Sequence, residues 1–167
     1  MNNETDRAMF DALIGQDVAL APSRSVALHL AKVALYEEKG VFALHPNIKP
    51  LLDSLLIDVG KLKLKAQVVS TFRTFAKQNA LYAQGRTIPG SKVTNAMGGQ
   101  SYHNYGLAFD LVVYKEDGRE ADKTDYTHVG VCGERLGLEW GGNFDDFGHF
   151  EYHPGFSWHE LINQFKI

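Results

Sequence analysis

The sequence predicts an α+β fold, in which helices pack on a small, mainly antiparallel sheet. Three observations lead there. Short runs with strand character occur at about 66–71, 107–113 and 149–152. Irregular, glycine-containing connections separate them, where a parallel sheet would need regular crossover helices. Apolar residues at helical spacing, bounded by cap signals, flank the strands on both sides.

Residues 24–38, RSVALHLAKVALYEE, read as a helix that follows Ser23 and ends at Gly40. A second helix is expected from an Asn47 cap, because Ile48, Leu51, Leu52, Leu55, Leu56 and Val59 recur at helical spacing. Pro50 falls in its first turn, where a missing N–H is harmless, and Gly60 is the expected stop. Together, residues 1–60 read as a helical scaffold. The alternating KLKLK at 61–65 suits a solvated edge or strand face. After the strand at 66–71 comes a short helix over 75–83, closed by Gly85, and then a loop over 86–100 with turn signals at Pro89-Gly90 and Gly98-Gly99. The strand 107–113 leads into the polar turn KEDGRE, a helix over 126–136 stopped at Gly137, and the glycine-rich EWGGNFDDFG before the strand at 149–152. The last helix, 157–166, has a capping box in Ser157 and Glu160 and a hydrophobic staple in Phe156 and Leu161.

A chain of 167 residues can bury one sizeable core and is too short for two, so a single domain over 1–167 is expected. A net charge of −3 gives no global basic field, which argues against nucleic acid or an anionic membrane as partner. No stretch approaches the ~20 apolar residues that span a bilayer. The N-terminus has acids where a signal peptide needs a basic region, so synthesis in the cytoplasm without a signal peptide is expected. Cys132 is the only cysteine, which excludes an intramolecular disulfide and a cysteine-based zinc knuckle; it reads as a small buried residue on a helix.

The chemistry is concentrated in two stretches. In LAFDLVV, alternation puts Leu107, Phe109, Leu111 and Val113 on one face and Asp110 on the other, among small or apolar neighbours. A buried carboxylate needs a partner. It is either a hydrogen-bonded structural Asp or a ligand. In DDFGHFEYH, 145–153, alternation puts His149 and Glu151 on one face of another short strand. His103, His149 and Asp110 can therefore converge on a zinc ion, leaving a fourth position for water. Asp146, one short turn before His149, is placed as the general base for that water. Glu139 is its rival, at a greater distance from His149 along the chain. No HExxH helix exists, which excludes the common metalloprotease arrangement. Among the other histidines, His29 and His128 lie on helices and His45 precedes a proline. His153 follows the His149 strand, as a second-layer residue or a bystander, and His159 is expected to be exposed.

The stretch Ser101-Tyr-His103-Asn-Tyr-Gly106-Leu-Ala108-Phe-Asp110 resembles the S-x-H-x-x-G-x-A-x-D signature of zinc peptidases that cut peptidoglycan peptides. These are the D-alanyl-D-alanine carboxypeptidases and L-alanyl-D-glutamate endopeptidases. Asp146-Phe-Gly-His149-Phe150-Glu151 is similar to their second signature, and residues 72–110 look most like the endopeptidase branch of phage endolysins and bacterial autolysins. The resemblance covers about 66–153, the expected catalytic core, and implies the hedgehog/DD-carboxypeptidase-like version of the α+β fold. It implies one zinc ion per chain on His103, Asp110 and His149, with Asp146 as base and Arg73 stabilising the oxyanion. Gln78 is implied as a pocket residue that positions substrate or loop. Ser101 either contacts substrate or caps the turn before His103, and Trp140 either walls the site or belongs to the core. The implied substrate is the peptidoglycan stem peptide, cut at L-Ala–D-Glu, with D-Ala-D-Ala cleavage as the alternative. A non-catalytic hedgehog-like binding module is the different-class alternative, and it predicts a lost ligand or base. A single catalytic domain with no appended wall-binding repeat further resembles an endolysin, expected to be a monomer, that reaches the wall after a holin opens the membrane; a virion-borne lysin and a bacterial cytoplasmic paralogue are the alternatives.

Overall fold

A computed structural model of the chain describes residues 44, 45, 47–153 and 155–164. The helix expected at 24–38, its Gly40 cap, His29 and the N-terminal leader question all lie outside these residues, as do positions 165 and 166 of the last helix. Helix α1, Lys49–Lys61, buries Leu52, Leu55 and Val59. Its start and stop differ from expectation. The cap position is Ile48, without a side-chain cap bond, while the Asn47 N–H donates to His45 Nδ1 at 3.2 Å. Gly60 is carried inside the last turn; a glycine there costs only about 1 kcal/mol, which propagation tolerates. The reversal falls instead on Lys63, at φ 58°.

Four antiparallel strands follow: β1 (Leu64–Ser70), β2 (Ala108–Lys115), β3 (Glu139–Trp140) and β4 (His149–Glu151), in the spatial order β1-β2-β4-β3. KLKLK is split between the end of α1 and the start of β1, an edge strand that exposes every second residue, Lys65 included. β3 falls inside the stretch read as glycine-rich loop, because two residues show no period. Helix α2, Phe75–Ala83, starts from Thr74, whose side chain accepts the Lys77 N–H at 3.1 Å.

Helix α3, Lys123–Arg135, begins three residues earlier than the apolar pattern suggested. Its start is polar. Asp122 accepts the N–H of Thr124 and Asp125, and Asp125 returns a bond to the Asp122 N–H, so a capping box built from two aspartates sets the boundary. In α4, Trp158–Gln164, Ser157 and Glu160 exchange the expected capping bonds, and Phe156 packs with Leu161 in one cluster.

α1 and α3 cover one face of the sheet, where Phe109, Leu111, Val113, Trp140 and Phe150 are buried. Phe109 and Phe150 are register partners with stacked rings, centroids 5.5 Å apart. Fully burying such side chains stabilises by roughly 1.5–3 kcal/mol each. Two glycines let α3 approach this closely. A Cβ at Gly130 would lie 2.2 Å from the Trp140 ring, and one at Gly133 would lie 2.4 Å from Phe150. The opposite face of β2 and β4 carries the polar residues Asp110, His149 and Glu151.

This packing makes a paired prediction. Gly130→Ala should destabilise the protein by about 1–3 kcal/mol, the usual cost of overpacking. Gly60→Ala, with nothing within 4 Å of the added Cβ, should be neutral or stabilising by up to about 1 kcal/mol. Urea unfolding of both variants checks this, and equal midpoints would contradict the α3–Trp140 contact.

Candidate metal centre

Gly106 turns the chain into β2. It takes φ 64° and ψ 21°, closing the 3-10 turn Tyr102–Tyr105 that carries His103. Ser101 caps that turn by accepting the His103 N–H at 3.3 Å, the capping role that the sequence offered as one of its two readings. His103 is 2% exposed. Asp110 and His149 are direct register partners across β2 and β4, so their side chains emerge side by side on the same face.

The three side chains meet closely. Asp110 Oδ1 lies 3.1 Å from His103 Nε2 and 3.0 Å from His149 Nδ1, and those nitrogens are 3.3 Å apart. Their outer nitrogens fix the tautomers. His103 Nδ1 is 2.5 Å from the Thr71 carbonyl, which can only accept, so this nitrogen holds the proton. His149 Nε2 is 2.9 Å from the Glu151 carboxylate, so the proton sits there likewise. In the neutral imidazoles the inner nitrogens therefore turn lone pairs toward a carboxylate oxygen. Three such atoms at one point fit a divalent cation, and two imidazoles with one carboxylate suit zinc. The same three groups also compensate one another electrostatically. Burial opposes ionisation of Asp110, but hydrogen bonds and charge from His103 and His149 outweigh it and hold the carboxyl far below its usual range. Burial also opposes a charged His149, yet hydrogen bonds to Asp110 and Glu151 push its pKa up to about 9.

Arg73 closes one side. Its Nη2 donates to Ser70 Oγ at 2.9 Å and to Asp110 Oδ2 at 3.3 Å, and its Nη1 donates to Gln78 Oε1 at 2.9 Å. Gln78 is 0% exposed, and its Nε2 donates to Thr94 Oγ1 and the Ala96 carbonyl. Of the two roles expected of Gln78, positioning substrate or loop, the structure displays the second: it has no exposed surface and holds Arg73 and the 94–96 loop. Trp140 takes the core position that the sequence offered as one of its two readings. It pairs with Phe150, hence lies on the core face, and its Nε1–H donates to the Phe147 carbonyl at 2.9 Å, pinning the loop that follows Asp146.

Asp146 lines a cavity of about 520 Å³ together with Asp110, Gly148, Lys123 and Tyr126. Its N–H donates to the Gly141 carbonyl and its carbonyl accepts the His149 N–H, so a tight turn ties it to the ligand strand. Asp145, at φ 63°, makes the bend before it. Burial pushes the Asp146 carboxyl above its ordinary value, the Asp110 charge adds to this, and His149, His103 and Arg73 pull the other way. Glu139 instead lies beside His153, 3.3 Å from its Nδ1, while His153 Nε2 reaches Glu151 at 2.7 Å. His153 thus belongs to the layer behind His149.

Two residues were not singled out in the sequence. Glu151 orients His149, and alternation had already put it on the right face. Asn104, 2% exposed, accepts the Gly99 N–H and donates to the Arg73 carbonyl, binding three loops around the site. No periodic signal marks it, since it works inside a buried turn.

Residues 42–133 match the family described as VanY: D-alanyl-D-alanine carboxypeptidase. Over 124 residues the chain is 39% identical to the peptidoglycan L-alanyl-D-glutamate endopeptidase CwlK of Bacillus subtilis, covering 66% of this chain and 74% of that protein. Among solved structures, the Serratia marcescens L-Ala D-Glu endopeptidase ChiX superposes with a TM-score of 0.51 at 21% identity, over 66% of this chain and 80% of that one. VanYB in complex with D-alanine-D-alanine gives 0.52 at 18% identity, over 74% and 84%. A mutant of the D,D-pentapeptidase VanY, from a VanB-type resistance cassette and in complex with Zn(II), gives 0.50 at 18% identity, over 73% and 85%. The structures share the fold with this chain. The matched segment spans more than half the sequence and includes His103 and Asp110, and the chain belongs to the VanY D-alanyl-D-alanine carboxypeptidase family.

Proposed function

We propose that this chain is a zinc-dependent peptidoglycan hydrolase that cleaves the L-Ala–D-Glu amide of stem peptides. His103, Asp110 and His149 hold one zinc ion per chain, Asp146 serves as general base and Arg73 stabilises the oxyanion. The observation that carries this reading is the convergence of Nε2, Oδ1 and Nδ1 within 3.3 Å, with both outer imidazole nitrogens already committed as donors. The 39% identity to CwlK favours the L-Ala–D-Glu bond over D-Ala-D-Ala. A non-catalytic binding module is disfavoured because ligands and base are all present.

When bound, zinc supplies Lewis acidity, polarising a carbonyl and lowering the pKa of water toward ~7. The protein supplies the rest. Asp146, in a cavity shared with Asp110 and with its pKa raised, is suited to accept a proton from water and return it to the leaving amine. Arg73 is held at three points, while its Nε–H and one Nη1–H have no partner among the described residues. Those two donors suit a developing oxyanion, an interaction typically worth about 3–4 kcal/mol. Glu151 and the Thr71 carbonyl keep the ligand tautomers fixed, as outer partners of metal-binding histidines do.

Mass spectrometry of digested muropeptides checks the bond: new L-Ala C-termini and D-Glu N-termini are expected, and release of D-Ala alone would sink the assignment. Asp146→Asn should lose roughly 10²–10⁴-fold in kcat while zinc content stays near one per chain. His103→Ala and Asp110→Ala should lose both zinc and activity, read by elemental analysis beside the assay. Activity retained in His103→Ala and Asp146→Asn is incompatible with the proposal. Chelator treatment followed by zinc at a hundred-fold excess over Kd should restore about 2.7 kcal/mol of stability, visible as a rise in Tm. A Tm indifferent to zinc would count against the site.

A further inference from the structure

The cavity beside Asp146 continues past the reacting groups to Glu120, Ala121, Lys123, Tyr126 and Phe147. Lys123 is the only cation among its lining residues, and it is held in an unusual way. Its Nζ stands 4.6 Å from the centroid of the Phe147 ring, a cation–π contact. Phe147 is itself fixed, since its carbonyl accepts from Trp140 Nε1 and its neighbour in the chain is Asp146. The acids nearest to Lys123 in sequence are committed elsewhere. Asp122 and Asp125 both pair with Lys115, at 2.7 and 3.2 Å, and both belong to the capping box of α3. Among the described residues, Lys123 has no ion pair, and Glu120, the other charged group at that end of the cavity, has none either.

An ammonium positioned on an aromatic ring, without a carboxylate partner, in the wall of a cavity that also contains the proposed base, is a binding group for an anion. The substrate offers one at the matching place. In L-Ala–D-Glu, the residue whose nitrogen leaves carries an α-carboxylate, as does the terminal residue of D-Ala-D-Ala. We infer that Lys123 binds the α-carboxylate of the leaving-group residue, making this enzyme selective for a free carboxylate over a carboxamide at that position. The Phe147 ring holds the ammonium in place, and Glu120 on the same wall disfavours a second negative charge. This inference rests on the peptidase reading above and names a substrate feature that the same site recognises.

The test compares two pairs of synthetic peptides cut by the full zinc-loaded chain. One is L-Ala-γ-D-Glu-L-Lys with the D-Glu α-carboxyl free or amidated; the other is a D-Ala-D-Ala peptide with its terminus free or amidated. On whichever pair the wild type cuts, kcat/KM should favour the carboxylate by about ten-fold, the scale of one charge-assisted hydrogen bond. Lys123→Met keeps the aliphatic stem, and it should reduce that ratio at least five-fold, chiefly through KM, whereas Lys123→Arg should retain it. A ratio near one in the wild type, or a ratio unchanged by Lys123→Met whatever happens to the absolute rates, overturns the inference. Cleavage of the second pair alone would overturn the bond assignment and leave the Lys123 comparison readable. Cleavage of neither pair would overturn both.

Discussion

The pairing of Asp110 with His149 across β2 and β4 is the constraint on which the rest of the site depends. It places a carboxylate and an imidazole side by side in a position with little water, and neither is stable there with its charge or lone pair uncompensated. His103 arrives from a different element, a one-turn helix ended by Gly106, to complete the set. Each imidazole is then anchored from behind, one by a backbone carbonyl and the other by Glu151. Since both outer nitrogens must donate, the chemistry of the inner side is decided by bonds made outside it.

Around that set, the protein spends buried polar groups on position. Gln78 and Asn104 have almost no exposed surface, yet between them they tie α2, the loops at 73–74 and 94–99, and the turn bearing His103. Both amides are satisfied, so the arrangement avoids the cost of an unpaired buried dipole and confines Arg73 to one placement. Trp140 does the corresponding work from the other side of the sheet. Its ring fills the space left by Gly130, and its indole N–H holds the loop between Asp146 and Gly148.

Much of this was legible in the sequence, for definite reasons. Period-2 alternation placed Asp110, His149 and Glu151 on faces that the sheet confirms, because one-sided burial fixes register strongly. The S-x-H-x-x-G-x-A-x-D pattern pointed to His103 and Asp110, whose side chains the structure brings together. What failed to show were features without a period. β3 is two residues long, and α3 begins on a polar capping box upstream of its first buried residue. Gln78 and Trp140 each carried two readings, support or contact with substrate, because a polar or aromatic side chain near a site suits both. Only the register of Trp140 with Phe150, and the complete enclosure of Gln78, separate support from contact.

β4 is three residues long, flanked by β2 on one side and the two-residue β3 on the other. Few ladder bonds hold such a segment, and its apolar anchor is Phe150. A cation gripped by His149 on this strand, by Asp110 on its neighbour and by His103 on a separate turn would act as a cross-link between parts of the chain distant in sequence. It would suppress local opening of β4 much more than opening of β1, whose partner β2 runs alongside it for most of its length. Amide hydrogens of β4 would then report occupancy of the site more sensitively than those of β1. The candidate metal centre and a short, lightly held strand share the same few residues, so an ion bound there would also keep the scaffold closed.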